Sequence, residues 1–246
     1  MISAVVPCFN EASVLEGTTR DLTRVLDRLA PGAWEIILVD DGSTDATWDV
    51  VQGLARVGTI RTTRHARNRG KGAAVRTGVA LSRGDAVLVC DADGSTPPDT
   101  LEEFVRALAD GAAIVIGDRW SPGAVLDRPQ PRLRRLLGGG YVLLSRALSG
   151  LRLRDFNCGF KLFRGDLARS LLGSSRSDRW TWDVEVLALA ARRGLVPRPL
   201  PVRWSQGPRS AVHPLRDVAR SLRDLAALWW QLKGRGAPLP KKSTPA

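Results

Sequence analysis

Two aspartates one residue apart, Asp91 and Asp93, close the apolar run Ala86-Val87-Leu88-Val89-Cys90 and open the turn Gly94-Ser95-Thr96-Pro97-Pro98. Carboxylates so placed suit a hard divalent cation that also meets substrate phosphates. In an α/β protein such acids stand where ligands collect, at the carboxyl end of a buried strand. A solvated acidic turn has the same composition, so the rest of the chain has to decide. A second acidic segment, Asp40-Asp41-Gly42-Ser43-Thr44-Asp45, follows another apolar run. It reads either as a capped turn into a helix or as a strand end whose Asp accepts hydrogen bonds from a base or ribose. The stretch Asn68-Arg69-Gly70-Lys71-Gly72 precedes a helix, where backbone amides and Lys71 suit an anion. Neither GxGxxG nor GxxxxGK[ST] occurs.

The elements that must position these residues alternate. Val- and Ile-rich runs at 2–6, 36–39, 86–90 and 113–116 read as strands, and 14–29 and 47–57 between them read as helices. Strand and helix in alternation predict a mostly parallel sheet wrapped by helices, buried on both faces. Each strand ends in a polar loop: Pro7-Cys8-Phe9-Asn10-Glu11, the Asp40 loop, Asp91-Ala92-Asp93, and Gly117-Asp118-Arg119. Four such ends build one crevice. Beyond residue 119 the alternation fades. Helices are expected at 133–148 and 182–192, around a loop Asp155-Phe156-Asn157-Cys158-Gly159-Phe160. A last amphipathic helix spans 215–232, with Leu215, Val218, Leu222, Leu225, Trp229 and Leu232 on its apolar face and Arg216, Arg220 and Arg223 on another. The tail 234–246 reads as disordered. Trp180, Trp182 and Trp204 read as packing residues rather than aromatic platforms for a ligand.

Composition narrows the partners. The 246 residues fit one large domain. Three scattered cysteines and two histidines argue against a disulfide framework or a zinc site, and for a reducing cytoplasm. No stretch approaches the roughly 20 apolar residues of a spanning helix, and no signal-peptide pattern is present. The net charge of +12 is uneven: residues 1–118 hold 12 basic against 17 acidic residues, and residues 119–246 hold 25 against 8. A basic half suits phosphates, anionic lipid or nucleic acid. Nucleic acid is the weakest of these, because no RRM, KH or zinc-finger signature accompanies the charge.

Together, Val5-Val6-Pro7-Cys8-Phe9-Asn10-Glu11, Val39 to Asp45, Asn68 to Arg76, Asp91-Ala92-Asp93, Gly117-Asp118-Arg119 and Asp155 to Phe163 resemble the family 2 glycosyltransferases of GT-A fold. The run Arg179-Trp180-Thr181-Trp182-Asp183-Val184-Glu185, with Cys158-Gly159-Phe160-Lys161, is most similar to the dolichyl-phosphate (polyprenyl-phosphate) β-glucosyltransferases, relatives of the dolichyl-phosphate mannose synthases. The resemblance implies a single Rossmann-like GT-A domain at 1–212, with a nucleotide-sugar half 1–118 and an acceptor half 119–212. The amphipathic helix would follow at 213–233. It implies that Pro7, Asn10, Glu11, Asp40, Asp41, Lys71 and Asp91 serve the donor nucleotide, and that Asp93, with Asp91, holds Mg²⁺ or Mn²⁺. Arg119 and Arg134 would grip the acceptor phosphate. Relatives carry Gly-Ser-Lys or Gly-Ser-Arg in a late loop, where this chain reads Gln206-Gly207-Pro208-Arg209-Ser210-Ala211; either Arg209 supplies the missing cation or the loop is catalytically weakened. Where the mannose synthases have a metal-serving Gln, this chain has Ser95.

The implied reaction is inverting transfer of a hexose, glucose from UDP-glucose in the first reading and mannose from GDP-mannose in the second, to a polyprenyl or dolichyl monophosphate. A hydroxyl acceptor, which needs a base, is the alternative within the family; Asp155, Asp183 and Glu185 are then the candidates, against a plainer reading of Asp155 as a structural or acceptor-loop residue and of Asp183 and Glu185 as charges favoured at a helix start. The enzyme would work in the cytoplasm, peripheral on the inner face of the membrane, against an anionic surface and without nucleic acid.

Overall fold

The computed structural model describes residues 1–55, 58–127, 132–205 and 214–234; the side chains of 132–137, 214–222 and 234 lie outside that description. Strands β1 (Ile2–Cys8), β2 (Trp34–Asp40), β3 (Ile60–Arg64), β4 (Ala86–Val89), β5 (Ile114–Asp118), β7 (Lys161–Arg164) and β8 (Arg198–Pro201) form one seven-stranded sheet in the order β3-β2-β1-β4-β7-β5-β8. Only β7 runs antiparallel to its neighbours, β4 and β5. A two-stranded parallel ladder joins β6 (Val125–Leu126) to β9 (Arg203–Trp204). The helices are α1 (Leu15–Leu29), α2 (Thr47–Leu54), α3 (Lys71–Leu81), α4 (Leu101–Ala109), α5 (Arg132–Ser149), α6 (Gly165–Ser174), α7 (Trp182–Arg192) and α8 (Pro214–Gly234).

Strand side chains alternate between the faces, and both faces are covered. Ala4, Val6, Ile36 and Leu38 pack with Leu22 and Leu26 of α1 and Phe104 of α4. Val5, Ile37 and Val39 pack on the other face with Val75 and Val79 of α3 and with α6 and α7. Every residue of α7 from Trp182 to Ala191 is buried, as its lack of a polar stripe requires. Gly78 lets α3 lie against the sheet, since a Cβ there would meet Val5 Cγ1 and come within 3.0 Å of Val39 Cγ2.

The apolar runs become strands and the expected helices form within a few residues of their predicted bounds, with α7 matching them in full. Three strands of the seven-stranded sheet are absent from the sequence reading, as are β6 and β9. β3 is polar (Ile-Arg-Thr-Thr-Arg) because it is an edge strand and only partly buried. β8 carries two prolines, which an edge tolerates. β7 is four residues long and hidden at the end of the Asp155 loop, yet it sits between β4 and β5, so the sheet takes strands from both sides of residue 118. On α8 the buried positions are Leu225, Leu228 and Leu232, and Trp229, expected on the apolar face, is 43% exposed. Leu215, Val218, Leu222, Arg216 and Arg220 have side chains outside the description, as does the tail beyond 234. No helix among the described residues is long and apolar enough to cross a membrane.

Candidate active site

The strand order reverses direction between β1 and β4, the switch point at which doubly wound sheets open a crevice. The β1–β4 ladder extends from Ile2 to Val5, while β1 continues to Cys8 beside β2. Pro7, which has no N–H to donate, lies in the part of β1 that has left β4. Asn10 follows with φ of 58°, the single non-glycine residue with positive φ among those described. Its amide donates to Ser43 Oγ at 3.0 Å, and its Oδ1 accepts from Thr44 N at 2.9 Å. The Glu11 amide donates to Thr47 Oγ1 at 2.8 Å. The loops after β1 and β2 are thus sewn into one wall.

Asp40 is fully buried, with its carboxylate accepting from Ser43 N at 3.0 Å and from Ser43 Oγ, and facing Arg64 Nε at 2.9 Å. Asp41, 3% exposed, accepts from His65 Nδ1 at 2.7 Å, Arg69 N at 3.0 Å and Gly70 N at 2.7 Å. Both acids shape the loops of this wall, and Asp41 fixes the chain just ahead of Lys71.

Lys71 opens α3 and reaches Asp91 at 2.5 Å. Burial pushes the Asp91 carboxyl up, but the charges of Lys71, Lys161 and Arg119 outweigh it and hold that carboxyl below its ordinary value. Cations from three separate segments therefore converge on one carboxylate. The Asp91 carboxylate lies against Gly159 so closely that any Cβ there would collide with both its oxygens. Asp93 Oδ1 accepts from Ser95 N at 2.9 Å, and Ser95 O accepts from Ser205 N at 2.8 Å, tying the acidic turn to the end of β9. Ser95 thus acts through its backbone.

The described residues contain no cluster of three or more His, Cys, Asp or Glu able to enclose a metal. Asp91 and Asp93 each leave Oδ2 without a protein hydrogen-bond partner among the described residues. Two carboxylate oxygens, with a substrate's phosphate oxygens and water completing the shell, fit Mg²⁺ or Mn²⁺.

Arg119, just past β5, pairs bidentately with Asp155 at 2.6 and 2.8 Å, and its guanidinium lies 5.5 Å from the Trp204 ring centroid. Burial favours a neutral Asp155, yet the Arg119 hydrogen bonds and charge hold its carboxyl below the ordinary range. Nε and one N–H of Nη2 are spent on Asp155, and the remaining guanidinium donors are left for an anion. Behind Asp91, Lys161 is 1% exposed and contacts Asp183 and, at 2.5 Å, Cys158 O. Burial raises the Asp183 carboxyl, with Lys161 and Lys71 pulling it back. Glu185 is fully buried and accepts from Ser175 Oγ, Arg176 N and Ser177 N at 2.7 to 2.9 Å. Of the expected site residues, the Arg134 side chain and Arg209 lie outside the described part. Lys161, Gly159 and Trp180 join the site beyond the sequence reading.

Residues 3–172 match the family described as Glycosyl transferase family 2. The chain belongs to glycosyl transferase family 2. Among relatives of this family 2 member are the glycosyltransferase AglD of Haloferax volcanii and the dolichyl-phosphate beta-glucosyltransferase ALG5C of Trichomonas vaginalis. The first is 32% identical over 237 residues, covering 95% of this chain and 38% of that protein; the second is 35% identical over 212 residues, covering 82% and 63%. The chain thus spans well under half of the one and less than two thirds of the other. The dolichyl-phosphate beta-glucosyltransferase of Drosophila melanogaster is 34% identical over 243 residues, covering 93% of this chain and 74% of that protein. Solved structures share the fold. One is glucosyl-3-phosphoglycerate synthase from Mycobacterium tuberculosis in complex with Mn²⁺, UDP-glucose and phosphoglyceric acid, with TM-score 0.70, 18% identity and coverage of 98% of this chain and 81% of that one. Another is the mannosyltransferase PcManGT from Pyrobaculum calidifontis in complex with GDP-Man and Mn²⁺, with TM-score 0.65, 21% identity and coverage of 97% and 65%. The fold of this family 2 protein is GT-A, as its motifs imply.

Proposed function

We propose that this protein transfers glucose from UDP-glucose to a polyprenyl or dolichyl monophosphate, with inversion at the sugar C1. One observation carries the choice of a phosphate acceptor: all three candidate bases are committed. Asp155 is locked to Arg119, Asp183 is buried against Lys161, and Glu185 caps the 175–177 turn. A sugar hydroxyl needs a base to take its proton. A lipid monophosphate, with a second pKa near about 6, is largely ionised at neutral pH and needs none. The names of the Trichomonas and Drosophila relatives point to the same acceptor and sugar.

In this reading Pro7, Asn10, Glu11 and Asp41, backed by Asp40, form the nucleotide end of the crevice. Lys71 and Asp91 face the diphosphate. Asp93 and Asp91 hold Mg²⁺ or Mn²⁺, whose positive charge, when bound, stabilises the departing nucleoside diphosphate. Arg119, joined by Arg134, positions the acceptor phosphate through the guanidinium donors that Asp155 leaves free. A phosphate oxygen attacks C1 from the face opposite the leaving group; the new C1–O bond forms as the bond to the nucleoside diphosphate breaks. Arg209 would supply the cation that relatives carry in their Gly-Ser-Lys or Gly-Ser-Arg element. Residues 1–118 serve the donor and the strongly basic residues 119–246 face the acceptor and an anionic membrane surface.

The test incubates the protein with a polyprenyl monophosphate and either UDP-glucose or GDP-mannose, with and without Mn²⁺ or Mg²⁺, and follows the lipid by mass spectrometry. The expected product is a hexosyl lipid phosphate from UDP-glucose, abolished by EDTA or by Asp93→Asn and restored to the wild type by added metal. Product from GDP-mannose alone would move the assignment to mannose.

A further inference from the structure

Three tryptophans near the crevice have different surroundings. Trp182 is fully buried in the core, and Trp204 lies beside Arg119. Trp180 is 59% exposed, against the packing role expected of it. Its backbone is nonetheless held from two sides. Glu185 binds Ser175, Arg176 and Ser177. Asp178 pairs with Arg76, and its carbonyl accepts from Ala73 N at 3.0 Å. Gly70 and Gly72 let the two segments touch: a Cβ on Gly70 would strike Asp178 O, and one on Gly72 would strike Ser177 O. The loop 175–181 is thus joined to the start of α3. The Trp180 ring centroid lies 5.3 Å from Lys71 Nζ, which is itself 2.5 Å from Asp91. A large aromatic face is presented to solvent beside the carboxylate at the centre of the site, on a backbone built to keep it there. An apolar partner would recover the burial that such a face forgoes.

We propose that Trp180 is the platform on which the transferred hexose rests, with the C–H face of the sugar ring against the indole and its hydroxyls toward Lys71. The inference rests on the donor reading above and adds to it the residue that recognises the sugar rather than the nucleotide. A hexose fits better than a prenyl chain for a reason of place. Trp180 belongs to the Lys71–Asp91 pair, where the donor's phosphates would lie, and the sugar is bonded directly to them. The acceptor side has its own cation and ring, Arg119 and Trp204. Glu185 is a positioning residue, acting on the sugar only through the loop it holds.

The experiment is calorimetric titration with Mn²⁺ of UDP, UDP-glucose, GDP and GDP-mannose into the wild type, Trp180→Phe, Trp180→Leu and Trp180→Ala, with thermal melts alongside. Trp180→Ala should leave nucleoside diphosphate affinity within about twofold and weaken the matching nucleotide sugar about tenfold. Phe should restore most of that loss, and Leu, apolar without a ring, little of it. The KM for polyprenyl phosphate should not move. Equal weakening of diphosphate and nucleotide sugar would overturn the platform, because Trp180 would then act only on Lys71. A change confined to the lipid KM would also overturn it. Should the wild type bind neither nucleotide sugar, the donor reading falls and the platform with it; should it bind one with the same affinity as Trp180→Ala, the platform alone falls.

Discussion

The Asp91 carboxylate is defined by what surrounds it: Lys71 on one side, Gly159 against its oxygens, and the charges of Lys161 and Arg119 beyond. Gly159→Ala should therefore displace Asp91 while leaving the fold in place. We expect transfer activity to fall about 100-fold, the usual cost of a misplacement near 1 Å, with an unchanged far-UV spectrum. Retained activity would show that Asp91 has room to move. The Arg119–Asp155 pair gives a pH prediction. Folded Asp155 titrates below its unfolded value, so the pair contributes stability that is fully present above the ordinary carboxylate pKa of about 3.9 and is lost as pH falls through the lower folded value. Asp155→Asn should lower stability at neutral pH by about 3 kcal/mol and flatten the acid limb of the stability profile, measured by urea unfolding at several pH values. The aspartates themselves were legible as chemistry from their place at strand ends. Their partners were not: Asp91 meets Gly159 because β7 pairs with β4, and Asp183 meets Lys161 because α7 packs against the sheet.

At the scale of elements, α3 transmits the sheet's geometry to Lys71. Gly78→Ala would force its Cβ into Val5 Cγ1 and against Val39, lifting the helix from β1 and β2. Such overpacking should cost about 1 to 3 kcal/mol. Because Lys71 moves with the helix, nucleotide-sugar affinity should drop alongside Tm; a lower Tm with unchanged affinity would show that Lys71 is placed independently of the sheet. The mostly apolar strands β1, β2, β4 and β5 were legible because burial on both faces leaves a near-continuous apolar signature. β3 and β8 were not, since edge strands are polar or proline-bearing for good physical reasons. β7, four residues inserted antiparallel, has too few residues to show a period. On α8, the face reading placed Trp229 inward where Leu228 is buried instead, one residue along and on the same turn.

For the whole molecule, charge and exposed aromatics concentrate in the second half. Residues 119–246 carry 25 basic against 8 acidic residues, and on α8 the exposed Trp229 and Trp230 pack edge to face beside Lys233. Indoles next to lysine are the side chains that settle at a lipid headgroup layer. The protein should sediment with vesicles containing phosphatidylglycerol and not with pure phosphatidylcholine, and release as salt rises toward about 1 M, where screening is short-ranged. Replacing both Trp229 and Trp230 by Ala should weaken sedimentation without changing UDP-glucose affinity; equal binding to both vesicle types would argue against an electrostatic surface contact. The central claim is that a phosphate rather than a hydroxyl attacks the sugar, since every candidate base is committed elsewhere. The most direct measurement offers the protein, with UDP-glucose and Mn²⁺, a polyprenyl monophosphate and the matching free polyprenol in parallel, together with a sugar acceptor, and identifies the glycosylated products by mass spectrometry. The account predicts a hexosyl lipid phosphate and no glycosylated alcohol. Glucose on the polyprenol or the sugar hydroxyl, with none on the phosphate, would contradict it.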